Sequence, residues 1–235
     1  DLICKKIEMT YKTHKMYFGI FYASNFRKPL KTFLTVVHPY AERNGDFFDD
    51  YKNIEHFCPI KDITNKGFAV VLLSAKTVAD DVIDGNKTGI FKVCEDDYKD
   101  SSWGVLAAWA WGCSKVLDYL ILCPEIDGGK VAIIGHSRGG KTALLAGAID
   151  ERFYLSISNN SGNSGAALSR GNTGETIDDI TTRFPYWFCK KYSSYANNEN
   201  SLPFDQHMLI ALQAPRYCYI ASASEDLWAD PCGEL

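Results

Sequence analysis

Gly135-His136-Ser137-Arg138-Gly139, continued by Gly140 and Lys141, is the stretch that decides the reading of this chain. It matches G-x-S-x-G, the sharp turn that lifts a nucleophilic serine between a strand and a helix. The flanks are those such a turn requires. Val131-Ala132-Ile133-Ile134 is a short apolar, β-branched run that predicts a buried parallel strand, and Lys141-Thr142-Ala143-Leu144-Leu145-Ala146-Gly147-Ala148 predicts a helix packed on it. The serine is expected in strained backbone, with Gly135 and Gly139 letting strand and helix approach each other. Five residues alone match many unrelated Gly-rich turns. A strand before and a helix after make this one a candidate nucleophile elbow.

Working outward, residues 68–73 and 32–37 are apolar strands, the second closed by His38-Pro39, because the residue before a proline is pushed to extended backbone. Residues 2–8 and 16–23 alternate loosely and predict two antiparallel edge strands. Residues 61–66 predict a short helix stopped by Gly67, and 78–99, rich in Asp, Gly, Asn and Lys, a long surface loop. A helix is expected to start at Ser101-Ser102-Trp103 with Ser101 or Ser102 as N-cap. Its apolar residues recur at Leu106, Trp109, Ala110, Cys113, Val116, Leu117, Leu120 and Ile121, and Pro124 and Asp127-Gly128-Gly129 end it. After the elbow helix, 138–149, come a strand at 153–158 and a second long loop at 159–200 that carries the aromatic run Phe184-Pro185-Tyr186-Trp187-Phe188. A helix at 202–212 and a strand at 217–221 follow. No repeat or linker interrupts this alternation, so residues 1–235 read as one doubly wound α/β domain with a mostly parallel sheet.

Composition narrows the function. A chain of 235 residues that is 46% hydrophobic and 13% aromatic can bury a sizeable core, and its net charge of −4 gives no electrostatic reason to expect a nucleic acid or an anionic membrane as partner. No run approaches 18 apolar residues, so no membrane-spanning helix is predicted. The eight cysteines are Cys4, Cys58, Cys94, Cys113, Cys123, Cys189, Cys218 and Cys232; none forms C-x-x-C or a Cys/His set with zinc spacing. No metal and no cofactor is expected. Asp1 stands where an initiator Met or a signal peptide would, which predicts a processed chain or a fragment.

A serine nucleophile needs a base and an orienting acid, and in the α/β-hydrolase order these follow it as acid, then histidine. Asp226, directly after the strand at 217–221, is the best-placed acid, with Glu225 and Asp230 as rivals. The histidines are His14, His38, His56, His136 and His207, and no histidine follows Asp226. His136 should point away from its neighbour Ser137, His38 should line the pocket, and His207 should pack or cap. The chain is therefore expected to stop short of its catalytic histidine and of a final strand and helix. Arg138 and Lys141 lie at the start of the serine helix, where a cation is disfavoured by about 0.3–1 kcal/mol. They are expected either to snorkel to solvent or, as favoured here, to donate to an oxyanion, a carboxyl group or sugar hydroxyls.

A longer set of motifs surrounds the elbow: Ser102-Trp103-Gly104, Ala107-Ala108-Trp109-Ala110-Trp111-Gly112, Ser158-Asn159-Asn160-Ser161-Gly162, Gly165-Ala166-Ala167-Leu168-Ser169-Arg170, Gly174-Glu175-Thr176, Leu202-Pro203-Phe204-Asp205-Gln206-His207, Ala214-Pro215-Arg216 and Glu225-Asp226-Leu227-Trp228-Ala229-Asp230-Pro231. With these, residues 103–235 resemble the glucuronoyl esterases of carbohydrate esterase family 15, the bacterial branch more than the fungal one. The resemblance implies an α/β-hydrolase, a three-layer α/β/α sandwich lacking its final strand and helix in this chain. It implies a secreted, monomeric serine esterase that cleaves the 4-O-methyl-glucuronoyl ester linking glucuronoxylan to lignin alcohols. Ser137 would be the nucleophile, Arg138 would help hold the oxyanion, and Lys141, Glu175 and Trp228 would contact the uronic acid ring. The fungal acid position falls on Asn160, which cannot act as a carboxylate, and the bacterial alternative falls on Asp226. Arg170-Gly171-Asn172 departs from the family's usual Arg-Arg pair. An acetylxylan esterase on the same fold, and a carbohydrate-binding module built on a disabled hydrolase, are the competing readings.

Overall fold

The structure, a computed structural model, describes residues 1–39, 41, 46–94 and 102–235. Seven strands form one sheet: β1 (Leu2–Tyr11), β2 (His14–Ala23), β3 (Leu30–Val37), β4 (Ala69–Ser74), β5 (Ile126–His136), β6 (Leu155–Asn159) and β7 (Tyr217–Ala221). Their spatial order is β1-β2-β4-β3-β5-β6-β7. β1 and β2 form an antiparallel hairpin and β2 joins β4 antiparallel; every pair from β4 onward is parallel. Only β1 of the hairpin is an edge strand, since β2 is enclosed between β1 and β4.

The helices are α1 (Ile60–Asn65), α2 (Val105–Leu120), α3 (Arg138–Ile149), α4 (Ile177–Arg183), α5 (Gln206–Ala211) and α6 (Pro231–Glu234). The pleat of β4 shows how the layers divide. Ala69, Val71 and Leu73 point into the larger core with α2 residues Trp109, Cys113 and Leu117 and α3 residues Ala143 and Ala146. Val70 and Leu72 point the other way, to Ile54, Cys58 and Ile60 beside α1. Side chains that alternate this way along a strand must be covered on both faces, which gives the α/β/α sandwich. Over β5 to β7 the α1-side face is less covered: Ile134 and Ile157 are half-buried, and Tyr217 and Tyr219 are exposed.

Several expected boundaries move. β5 begins at Ile126 and runs through Asp127-Gly128-Gly129, which the sequence reading took as a terminator. Leu30 in β3 pairs with Ile126 and Thr32 with Val131, so Asp127-Gly128-Gly129 form a bulge between two paired stretches of one strand. α2 starts at Val105 with Gly104 at its N-cap, not at Ser102; Ser101 and residues 95–99 lie outside the described residues. A backbone cap does the work expected of a serine: the N–H groups of Val105 and Leu106 donate to the carbonyls of Tyr186 and Trp187 at 2.9 and 3.2 Å. The loop from 78 contains 3-10 turns at Gly85–Lys87 and Gly89–Val93. Inside the loop expected at 159–200 lies α4, held by a capping box in which Thr176 Oγ1 accepts from Asp179 N–H and Asp179 Oδ2 accepts from Thr176 N–H.

Candidate active site

β5 ends at His136 and α3 begins at Arg138, so Ser137 makes the turn alone, at φ 53° and ψ −124°. A non-glycine residue holds such backbone only where its surroundings enforce it, and such positions cluster at active sites. The Ser137 N–H donates to the Asn159 carbonyl at 2.9 Å, and the Ser137 carbonyl accepts from the N–H groups of Gly140 and Lys141 at 2.8 and 3.1 Å. A Cβ at residue 135 would lie 2.0 Å from the Gly139 carbonyl oxygen, so glycine is obligatory there. A Cβ on Gly139 itself would meet nothing nearer than the Val36 carbonyl oxygen at 3.9 Å. The second close approach belongs to Gly140, whose Cβ would lie 3.0 Å from Ser158 Oγ and Ser161 Cβ. The pair expected at Gly135 and Gly139 is thus Gly135 and Gly140.

The Arg138 backbone N–H heads α3, the position from which the residue after a nucleophile donates to an oxyanion. Its guanidinium is anchored elsewhere. Nη1 donates to Asp81 Oδ2, and the guanidinium carbon lies 4.6 and 5.1 Å from the ring centroids of Trp187 and Phe184. Those two rings stack on each other at 3.9 Å. The Asp81 carboxylate, 1% exposed, also accepts from Trp187 Nε1 at 2.9 Å and Tyr186 Oη at 3.1 Å. Asp81 belongs to none of the motifs quoted above. The only sequence signal for it is an acid inside the Val78-Ala79-Asp80-Asp81-Val82 stretch.

Lys141 is equally committed. Its three ammonium protons face Ser161 O at 2.6 Å, Asn163 O at 2.5 Å and Glu175 Oε1, and its side chain is 2% exposed. Burial draws the ammonium below the ordinary lysine value, while Glu175 opposes that shift. Arg138 and Lys141 therefore do not snorkel to solvent; each is paired with a carboxylate from a distant part of the chain. The Glu175 N–H in turn donates to the Trp228 carbonyl at 2.8 Å, which brings Lys141, Glu175 and Trp228 into one connected group. The Trp228 indole is 44% exposed and packs against the Arg183 guanidinium at 4.5 Å. Glu234, which the sequence did not single out, backs this group: its Oε1 accepts from Ser161 Oγ and Gly162 N–H at 3.1 and 2.9 Å.

Asp226 follows β7, and its Oδ2 accepts from Asn160 Nδ2 at 2.8 Å. Asn160 follows β6 at φ 45°, with its N–H on the Ala221 carbonyl. The ends of β5, β6 and β7 are thereby joined from Ser137 through Asn159 and Asn160 to Asp226. The rivals stand elsewhere. Glu225 is exposed, and Asp230 is spent on Thr173 N–H, Thr173 Oγ1 and the Gly233 N–H that opens α6.

Among the described residues, no histidine nitrogen is hydrogen-bonded to Ser137. His136 is exposed, with Nδ1 3.3 Å from Asn159 Nδ2, and lines a cleft with Phe33, Thr35 and Phe57 on the α1 side of the sheet. His38 is buried beside Arg138 and Asp81, edge-on to Phe57, and burial depresses it to about 4. His207 is exposed on α5, and His14 contacts the Thr77 carbonyl. Among the described residues there is no group of three His, Cys, Asp or Glu that could hold a metal ion, and no helix long and apolar enough to cross a membrane.

Comparison with known proteins bears on the same residues. The family model described as glucuronyl esterase, fungi, matches residues 50–234. A carbohydrate esterase from an unknown prokaryotic organism is 59% identical over 133 residues, covering 57% of this chain and 31% of the relative. A 4-O-methyl-glucuronoyl methylesterase of Hypocrea jecorina is 39% identical over 140 residues, covering 55% of this chain and 30% of the relative. This chain thus matches under a third of the length of these curated relatives. Two solved structures superpose on all of it: a promiscuous esterase of carbohydrate esterase family 15 from a marine bacterial metagenome (TM-score 0.82, 34% identity) and a glucuronoyl esterase from Solibacter usitatus (TM-score 0.84, 30% identity). The chain covers 70% of each. With an α/β-hydrolase sheet, a strained serine at its elbow and a family match across 50–234, the chain belongs to the glucuronoyl esterases of carbohydrate esterase family 15.

Proposed function

We propose that the protein is a serine carboxylic ester hydrolase that cleaves 4-O-methyl-glucuronoyl esters between glucuronoxylan and lignin alcohols. The observation that carries this reading is Ser137 in left-handed backbone at the head of α3, joined across the sheet to Asp226. Ser137 Oγ attacks the ester carbonyl carbon as a base removes its proton. The negative charge that develops on the carbonyl oxygen is met by the Arg138 N–H and the positive end of α3. Collapse of the tetrahedral intermediate expels the alcohol and leaves a uronoyl-serine ester, which water then hydrolyses. Asp226 has the place of the acid that orients the base. Among the described residues no histidine nitrogen is hydrogen-bonded to Ser137, and the base is assigned to a histidine outside residues 1–235.

The Lys141–Glu175 pair and the Trp228 indole are assigned to the uronic acid ring. Lys141, whose three protons go to Ser161 O, Asn163 O and Glu175, holds the Glu175 carboxylate as an acceptor for a ring hydroxyl, and an exposed indole offers a face for the ring's C–H groups. Action on a wall polymer places the enzyme outside the cell, and it is read as a monomer.

The test is a side-by-side assay of a methyl glucuronate ester and acetylated xylan, with residues 1–235 alone and with these residues continued by their own downstream sequence. The longer protein is expected to prefer the glucuronate ester, and residues 1–235 to turn over near background, because loss of one triad member leaves only the oxyanion-hole and binding contributions. Preference for acetate would sink the assignment. Full activity from residues 1–235 would move the base to His38 or His207.

A further inference from the structure

Three buried side chains that carry charge, Lys141, Glu175 and Glu234, meet around the turn Ser161-Gly162-Asn163. The peptide unit between residues 161 and 162 is gripped at both ends. Its carbonyl accepts from Lys141 Nζ at 2.6 Å, and its N–H donates to Glu234 Oε1 at 2.9 Å. In a trans peptide these two groups point in opposite directions, so ammonium and carboxylate hold the unit between them. Glu234 Oε1 takes a second hold on the same turn, accepting from Ser161 Oγ at 3.1 Å, and that hydroxyl oxygen in turn accepts from Ala166 N–H at 2.8 Å. Glu175 lies against the turn as well: Gly162 has a φ of 62°, and a Cβ there would collide with Glu175 Oε1.

Glu234 is itself anchored. It ends α6, whose opening N–H, on Gly233, donates to Asp230, while the Gly233 carbonyl accepts from Leu168 N–H at 3.1 Å. The three protons of Lys141 go to Ser161 O, Asn163 O and Glu175, so Glu234 acts on the ammonium through the turn rather than by a bond of its own. Its other oxygen, Oε2, is buried and has no hydrogen bond among the described residues, which leaves the whole grip to Oε1. With that oxygen removed, the 161–162 peptide is free to rotate, and Lys141 loses the fixed acceptor that aims it at Glu175.

We propose that Glu234 is a positioning residue for the uronic acid site. By holding the 161–162 peptide it fixes the Lys141 ammonium, and through it the Glu175 carboxylate, in the orientation that meets the ring hydroxyl. The inference rests on the assignment of Lys141 and Glu175 to the sugar, and it extends that site to a side chain that touches no substrate.

The experiment follows the Lys141 ammonium by proton–nitrogen NMR in the 235-residue chain and titrates the same samples with methyl glucuronate. Glu234→Ala should shift the Lys141 signal or broaden it away, and should weaken sugar binding roughly tenfold or more, the worth of a hydrogen bond to a charged group. Glu234→Gln should keep the signal in place and bind within about threefold of the native chain, because its amide oxygen accepts the same two hydrogen bonds and its nitrogen replaces an oxygen that has no partner. The Trp109 indole N–H, bonded to the Ala79 carbonyl in the core at 2.9 Å, should stay unmoved in both, which separates the effect from a general loss of packing. Should alanine not fold, Glu234→Asp keeps the charge but falls one methylene short of the turn, and should act in the same direction. A native Lys141 signal with native affinity in the folded alanine or aspartate variant overturns the role of Glu234, as does glutamine weakening binding as much as alanine. A native chain that does not bind methyl glucuronate, while its Lys141 signal still responds to Glu234→Ala, overturns the sugar assignment and the proposal with it.

Discussion

Asn160 donates from its side-chain amide to the Asp226 carboxylate at 2.8 Å, across the ends of β6 and β7. An amide at the end of one strand thus fixes the acid at the end of the next. Asn160→Ala removes a hydrogen bond to a charged group and is expected to cost about 1.5–3 kcal/mol. Asn160→Asp sets two carboxylates together and should be worse than alanine at pH 7. Urea unfolding of the two variants at pH 7 measures it; equal stability would contradict the contact.

The elbow glycines separate by residue. Gly135→Ala drives a methyl group into the Gly139 carbonyl at 2.0 Å and should prevent folding or shift β5 against α3. Gly139→Ala meets open space at 3.9 Å inside a helix and should be neutral, or stabilising by up to about 1 kcal/mol. Thermal melts of the two variants decide it.

Removing one partner of the Lys141–Glu175 pair strands a buried charge. Lys141→Met is expected to destabilise by about 3–5 kcal/mol, and the double variant with Glu175→Gln by less than the sum of the two single changes. A double-mutant cycle from denaturant unfolding tests this; additive losses would show that the pair is not coupled.

Asp81 ties Arg138 to the aromatic run. Asp81→Asn should leave Trp187 Nε1 an acceptor but remove the ion pair, whereas Asp81→Ala removes both. The Trp187 indole N–H signal should therefore move far more in the alanine variant. Similar shifts in both would place that N–H on another acceptor.

His38 sets an acid limit on stability. Its folded value, about 4, lies below the ordinary 6.5, so between those values the unfolded chain takes up a proton that the folded chain refuses. Stability therefore falls as pH drops through that window, by on the order of 3 kcal/mol for the full shift. His38→Phe should flatten the curve between pH 6.5 and 4. An unchanged slope would assign the loss to other groups.

The legible parts of the sequence were those whose causes are local. The β-branched run at 131–134, the glycines after it and the small-residue helix are neighbours in sequence and in space, so the elbow could be read directly. The sheet followed from its strand runs, since from β3 onward these are separated by helical segments, which leaves few parallel topologies. Asp81 was not legible, because its meaning depends on Arg138, 57 residues away, and on the Trp187 indole, 106 residues away. The start of β5 at Ile126, ahead of the bulge at Asp127-Gly128-Gly129, likewise depends on pairing with the distant Leu30. α4 was missed although Thr176 and Asp179 spell a capping box, because the Asn, Ser and Gly density around it outweighed a seven-residue helix. Asp226 was favoured over Glu225 and Asp230 by its place after β7; what Asp230 does instead required its partners in the 173 turn.

The two cations of α3 also bear on the order in which the molecule assembles. Arg138 and Lys141 find their carboxylates 57 and 34 residues away, in segments that lie outside the sheet. Until those segments dock, the helix that carries Ser137 has two ammonium-type charges facing inward without counter-charges, and it gains by staying wet. The nucleophile turn is thus expected to be completed late in folding, after the strands that support it. In a chevron analysis, substitutions at Asp81 and Glu175 should speed unfolding and leave the folding rate nearly unchanged.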